Sequence, residues 1–285
     1  MKVLVYGKGW IGNMVMEQMK REEIEFVEAT SRADNTRDVE RELDLVKPTH
    51  VMCFIGRTHG IIDGKVYPTI DYLEEKGKLF ENVRDNLFSQ VNLAIACQKR
   101  NIHLNVIATG CIYTYDDTHT TENGFTEEDQ ANFFGSSYSI VKGFTDRLMH
   151  LYPVANLRIR MPIKKNDPSS RNFITKILNY KKICSMENSM TVLDDFLPII
   201  VDLSRKNFIG TINLTNPGTI SHNEILQMYK DLVNPNFVWE NFSYQEQEKL
   251  LSNGRSNNYL DTSLLESLYN VPNIKNSIKS LMENF

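Results

Sequence analysis

The sequence predicts an α/β fold, a doubly wound parallel sheet with a smaller substrate-binding lobe interleaved with it. Three observations predict it: a glycine-patterned turn closing the first apolar run, a regular alternation of short apolar runs with longer amphipathic stretches up to Pro162, and a looser pattern beyond. The first run, Lys2–Tyr6, is compact and apolar enough to be a strand buried on both faces. Gly7-Lys8-Gly9-Trp10-Ile11-Gly12 follows it as G-x-G-x-x-G, and the helix-like stretch Ile11–Lys20 begins inside that turn. Ile24–Ala29 reads as the next strand and completes a βαβ unit of the Rossmann type.

The alternation then continues. Thr36–Val46 reads as a helix, His50–Ile55 as a strand, Leu79–Arg100 as a helix and His103–Ala108 as a strand; Ser137–Leu151 and Val154–Arg160 form the last such pair. Past Pro162, Arg171–Tyr180 and Asp194–Arg205 look helical and "GTINLT" looks like a strand. "SHNEILQMYKDLV" opens on a Ser–Glu capping box. Residues 1–162, rejoined by 191–214, are expected to form the dinucleotide-binding domain; 163–190 and 215–285 are expected to form the smaller lobe. Substrate is expected between them, at the carboxyl ends of the strands.

Composition narrows the function. With 285 residues, 41% hydrophobic and 24% charged, the chain can bury a full core. No apolar run approaches a membrane span, and the start reads as a strand instead of a secretory signal, so a cytoplasmic protein is expected. A net charge of −4 supplies no basic face for nucleic acid. Cys53, Cys97, Cys111 and Cys184 contain no CxxC pair; no metal site is expected, and the thiols are expected to be free.

The glycine turn suits a dinucleotide. Gly7 permits a tight turn, Gly9 lets the backbone approach a pyrophosphate, and Gly12 allows close helix–strand packing, with the helix N-terminus facing the anion. Trp10 and Ile11 between them, and Gly56 after the third strand, are placed with the cofactor contacts. Glu28 favours the free ribose hydroxyl of NAD(H), whereas Arg32 in "TSR" favours the additional phosphate of NADP(H). NADP(H) is the expected cofactor, with NAD(H) open.

In "SSYSIVKGFTD", Tyr138 and Lys142 stand at i, i+4 and share a helix face, so an ammonium near the phenol is expected to lower its proton affinity. Thr109 ends the preceding strand and is expected to orient the same carbonyl oxygen. With the glycine turn, this trio resembles the extended short-chain dehydrogenase/reductase family. "RSNNYLDTSLL" resembles the "RPxxSxLDxxKL" segment of dTDP-4-dehydrorhamnose reductases, with Ser256 in place of proline. "YGKGWIG", "ATGCIY", "GFTEEDQANFFGSSYSIVK", "RIRMPI", "RNFITKI", "NSMTVLDDFLPI" and "TNPGTISHNEILQMYK" resemble the plant-type bifunctional nucleotide-rhamnose synthases, which are epimerase-reductases. "HGIIDGKVYPTIDYLEEKGKL" departs as a longer loop, and Phe54-Ile55 stand where relatives carry small residues.

The resemblance implies a UDP- or dTDP-linked 4-keto-6-deoxyglucose as substrate and the matching L-rhamnose nucleotide as product. It also implies a homodimer and a separate 4,6-dehydratase upstream. A reductase has no use for a thiol beside Thr109, but a 3,5-epimerase does, since the 4-ketone acidifies the protons at carbons 3 and 5. Cys111 is therefore one expected half of the proton-exchanging pair, and Lys176 of "RNFITKI" the other, ahead of His222 and His119. Arg255 is expected at the diphosphate, and Asn86, Arg171 and Asn172 along the sugar nucleotide; Trp239 either stacks on the base or packs. The alternatives are a reductase without epimerase activity and a non-catalytic NADP-binding regulatory protein.

Overall fold

The computed structural model describes residues 1–243, 246 and 254–285. Its main sheet has six strands, β1 (Lys2–Tyr6), β2 (Glu25–Glu28), β3 (His50–Cys53), β4 (His103–Thr109), β5 (Val154–Ile159) and β6 (Gly210–Asn213). They lie in the order β2-β1-β3-β4-β5-β6, and every neighbouring pair is parallel. The chain moves outward from β1 to β2 and then returns to the other side of β1 for β3, so the winding reverses between β1 and β3. At such a switch point the loops leaving two adjacent strands diverge and leave a crevice.

Both sheet faces are covered, as the apolar strand cores require. On one face, Val15, Met16 and Met19 of α1 (Trp10–Arg21) join Phe196, Ile200 and Val201 of the helix Leu193–Arg205 over Val3 and Val5. On the other, Val39 and Leu43 of α2 (Thr36–Val46) join Leu93 and Cys97 of α3 (Ser89–Gln98) and Met149 of α4 (Ser137–Met149) over Leu4, Val51 and Val106. Cys53 and Cys97 lie in this second core, and burial pushes their thiols up to about 11 and about 12.

The stretch Leu79–Arg100, expected as one helix, is continuous but wider in the middle: Arg84–Phe88 is a π-helical turn between Leu79–Val83 and α3. The Ser89 hydroxyl donates to the Arg84 carbonyl at 2.8 Å, satisfying an acceptor that the widened turn releases. The long loop before it is ordered. Gly60–Ile62 and Lys65–Tyr67 form an antiparallel hairpin, closed by Asp63 and Gly64 with φ of 47° and 80°, the pattern of a type I′ turn.

Beyond Pro162, α5 (Phe173–Leu178), α6 (Leu193–Arg205), α7 (His222–Leu232) and α8 (Ile274–Met282) follow. Ile174, Ile177, Ile225, Leu226, Ile274 and Ile278 share a third core, and Ser221 with Glu224 makes both bonds of the capping box. The short helix Ser263–Leu268 departs from the expected 215–285 lobe, because Leu265 and Val271 pack into the core beneath the sheet.

Candidate active site

The glycine turn lies at the switch point. Gly7 has φ +97°, and a Cβ there would stand 2.8 Å from the backbone of Phe54 and Ile55. A Cβ on Gly12 would come within 2.1 Å of the Gly7 carbonyl oxygen, so the strand and α1 can approach only without it. A Cβ on Gly9 would meet nothing within 4 Å, and Gly9 caps α1 with no side-chain acceptor. This open space at the start of α1 fits a pyrophosphate. Gly12→Ala is expected to cost about 3 kcal/mol, since a backbone atom must move to admit the methyl; thermal unfolding checks it, and an unchanged midpoint would refute the close packing.

Thr109 ends β4, and its Oγ1 accepts from the Cys111 amide at 3.1 Å. The same hydroxyl faces the Tyr138 phenol. Cys111 is half-buried and packs with Tyr138, Tyr72 and Leu73, so the thiol stands against the phenol and is not sealed inside the core. Ser136 caps α4 through the Ser139 amide, and the Ser139 hydroxyl donates to the Cys111 carbonyl at 2.8 Å, which ties the helix start to the cysteine turn.

Burial pushes the Tyr138 phenol well above its usual range; Cys111 adds to this and Thr109 opposes it. Lys142, one turn further along α4, is also buried. Its Nζ donates to Gln90 Oε1 at 3.4 Å, and burial pulls the ammonium down to about 8. Gln90 in turn donates to the Ile55 carbonyl at 3.0 Å, linking the lysine to the loop after β3.

Lys176, on α5, is half-buried. Burial, followed by the Arg171 charge, holds its ammonium below the usual lysine range, while Cys111 pulls it back up, so the α5 lysine and the thiol feel each other's field. Arg171 donates to Thr58 Oγ1 at 3.0 Å and meets His59 Nε2 at 2.6 Å, placing a cation that has no carboxylate partner among the described residues between the loop after β3 and α5. His59 is held down to about 4, first by burial and then by Arg171, Arg57 and Lys176.

No protein-family model matches the chain. The L780 protein of Acanthamoeba polyphaga mimivirus is 52% identical over 287 residues, 99% of this chain and 98% of that one. The crystal structure of the L780 UDP-rhamnose synthase superposes with a TM-score of 0.95, covering 100% of this chain and 99% of that chain. A bifunctional dTDP-4-dehydrorhamnose 3,5-epimerase/dTDP-4-dehydrorhamnose reductase of Arabidopsis thaliana is 40% identical over 268 residues, 93% of this chain and 86% of that protein. The chain belongs to the nucleotide-rhamnose epimerase/reductase family. A trifunctional UDP-glucose 4,6-dehydratase/UDP-4-keto-6-deoxy-D-glucose 3,5-epimerase/UDP-4-keto-L-rhamnose-reductase of the same plant is 41% identical over 93% of this chain, which spans 39% of that longer protein.

In this member of the family several residues expected at ligands are committed to the protein itself. Asn86 is fully buried: its Oδ1 accepts from the Arg57 amide at 2.8 Å, and its Nδ2 donates to the Arg57 carbonyl and Asn82 Oδ1, each at 2.9 Å. It shapes the loop after Gly56 and has no polar atom left for sugar. Asn172 is likewise spent, bonded to Lys164 N and O and to Asp167 O. The Trp10 indole donates to Asp167 at 2.7 Å, leaving only its backbone for a cofactor, and Ile11 packs on the sheet core. Arg32 is exposed and twice bonded to Asp34, while Glu28 pairs with Lys8.

Arg255 carries two 3.0 Å bonds to the Asp71 carboxylate, and its other terminal nitrogen, Nη1, is buried without a partner. Trp239 packs on Phe237 and donates to Asn223, and His119 stacks on Phe125 beside Asp116. His222 is half-buried against Phe173 near Arg160, which helps hold its imidazole down at about 4, after burial.

Three contributors escaped sequence reading. Glu74 accepts from the Ser137 amide at 2.9 Å and so caps α4 from the long loop, and Gln90 holds Lys142. Arg160 donates to Cys111 Sγ at 3.4 Å. Ser256, where the reductase segment carries proline, accepts from Arg160 at 3.0 Å and donates to the Tyr113 carbonyl at 2.6 Å. Serine at 256, in place of the proline of the reductase segment, is the one signal in the sequence for the last pair.

Proposed function

We propose that this chain is a bifunctional 3,5-epimerase/4-reductase that converts a UDP- or dTDP-linked 4-keto-6-deoxyglucose to the matching L-rhamnose nucleotide with NADPH. The observation that carries the reading is the convergence of Cys111, Tyr138 and Thr109 at one carboxyl edge of the sheet, with Lys176 within electrostatic reach. The uridine form named for the L780 relative supports UDP as the preferred nucleotide.

Cys111 and Lys176 exchange protons at carbons 3 and 5. As each carbon–hydrogen bond breaks, its electron pair moves toward the carbon 4 carbonyl oxygen, where Thr109 and Tyr138 hold the enolate. A bound reduced nicotinamide dinucleotide supplies the hydride for carbon 4. Tyr138, kept protonated by burial, gives its proton to the carbonyl oxygen. Lys142 holds the nicotinamide ribose, the Gly7–Gly12 turn the pyrophosphate and Arg32 the additional phosphate. Arg171, without a carboxylate partner, serves the substrate diphosphate, with Arg255 at its far end.

Among the described residues no helix is long and apolar enough to cross a membrane. The exposed Leu79, Phe80, Val83, Ile140 and Phe144 support a homodimer through Leu79–Val83 and α4, and the four free thiols support a cytoplasmic location. A separate 4,6-dehydratase supplies the substrate. Incubation with NADPH and the UDP-linked 4-keto sugar in deuterated water tests the reading. The expected product is UDP-rhamnose with deuterium at carbons 3 and 5; consumption of NADPH without deuterium would reduce the protein to a reductase.

A further inference from the structure

Arg160 follows β5 and is only 1% exposed. Its Nη1 donates to Ser256 Oγ at 3.0 Å, to the Gly110 carbonyl at 3.4 Å and to Cys111 Sγ at 3.4 Å. Its Nη2 donates to the Ser256 carbonyl at 2.6 Å and to Asn188 Oδ1, and its Nε is buried with no partner among the described residues. None of these acceptors is a carboxylate. Arg158, two positions earlier on the same side of the strand, shows the ordinary solution, a bidentate pair with Asp146 at 2.9 and 2.7 Å.

A buried guanidinium without a counter-charge is costly, so some neighbouring group must be able to become an anion. Among the described residues, the titratable groups facing Arg160 are Cys111, Tyr115 and His222; those facing Cys111 from the other packed elements are Tyr138 on α4, Lys176 on α5 and Tyr72, whose hydroxyl donates its proton to Glu81 at 2.7 Å. His222 and Lys176 can only add positive charge. Burial pushes Tyr115 and Tyr138 upward, Tyr115 to about 12, and both stay neutral. The sulfur is the remaining candidate, and it already accepts from the guanidinium.

We infer that Arg160 is the built-in counterion of a Cys111 thiolate, a positioning residue that Ser256 and Asn188 hold against the sulfur. The inference deepens the epimerase reading and rests on it for the use of the thiolate. The thiol loses its proton to solvent, and the thiolate then takes a carbon-bound proton: a sulfur–hydrogen bond forms, a carbon–hydrogen bond breaks and the electron pair passes to the ketone oxygen. Without the cation, fewer molecules carry the anion near neutrality, although the sulfur itself is unchanged.

The test follows alkylation of Cys111 by iodoacetamide against pH, resolved by peptide mass spectrometry with Cys184 as the internal reference. In Arg160→Gln, alkylation near neutrality is expected to fall about tenfold and to converge on the parent rate in alkali, where the thiol is ionised with or without the cation. Arg160→Lys, which keeps a cation, is expected to recover most of the loss. A profile superimposable on the parent's, or an equal change at Cys184, would overturn the inference.

Ser256→Ala supplies an independent reading if the glutamine variant does not fold, since it releases the guanidinium from one of the bonds that hold it against the sulfur. The ratio of Cys111 to Cys184 alkylation near neutrality is expected to fall below the parent's in that variant; an unchanged ratio overturns the counterion. No sugar is present in either measurement. A parent that incorporates no solvent deuterium therefore sinks the epimerase reading while leaving the alkylation result intact, whereas unchanged alkylation in a parent that does exchange sinks only the role of Arg160.

Discussion

Tyr138→Phe is expected to slow NADPH-dependent reduction of the 4-keto sugar by a factor on the order of 10²–10⁴, the usual contribution of a positioned proton donor. The substitution removes one oxygen from a side chain that is packed by Tyr72 and Leu73, so the fold and cofactor affinity should survive. The decay of reduced-nicotinamide absorbance measures the rate, and a variant within about threefold of the parent would remove Tyr138 from the chemistry. The parent's own pH profile gives a second handle. Lys142, pulled down to about 8, is charged below that pH and neutral above it, so reduction should decline as the pH rises through about 8. In Lys142→Met that limb should vanish along with much of the rate.

Cys111→Ser is expected to suppress solvent deuterium incorporation at the ring carbons by about 10²-fold or more, while reduction of a nucleotide sugar already in the L-configuration continues near the parental rate. Serine nearly matches cysteine in size, and so the packing against Tyr138 is kept. What is lost is acidity, since a hydroxyl ionises far less readily than a thiol and benefits little from a neighbouring guanidinium. Mass spectrometry of the product separates the two activities. Deuterium entering both carbons at the parental rate in Cys111→Ser would show that the thiol is packing material.

Much of the fold was legible because local signals and global architecture agree. Each short apolar run is buried on both faces of a parallel sheet, and each amphipathic stretch covers one face. The glycine turn was legible for a harder reason: any side chain at Gly7 or Gly12 would collide with backbone atoms. The π-turn at Arg84–Phe88 was not legible, since nothing in the periodicity of Leu79–Arg100 distinguishes a widened turn from a regular one.

The site divides in the same way. Thr109, Cys111, Tyr138 and Lys142 stand in two continuous motifs, where spacing along the chain already implies proximity. Asn86 and Asn172 are ambiguous in sequence because an amide suits a sugar hydroxyl and a backbone carbonyl equally well; the surrounding loops supply the carbonyls that both amides bond here. Lys142 shows the same limit of sequence spacing. A shared helix face brings two side chains near each other, but Gln90, from another helix, decides where the ammonium points.

From the sequence alone came the parallel α/β architecture, the phosphate turn and the identity of the groups able to move protons, because each depends on interactions within a short stretch of chain. Which charges are compensated was decided only by the folded structure. Arg158 meets a carboxylate and Arg160 meets a sulfur, although the two arginines are separated by one residue. Their partners come from α4 and from the turn after β4, and the free energy of a buried charge is set by whatever distant segments enclose it.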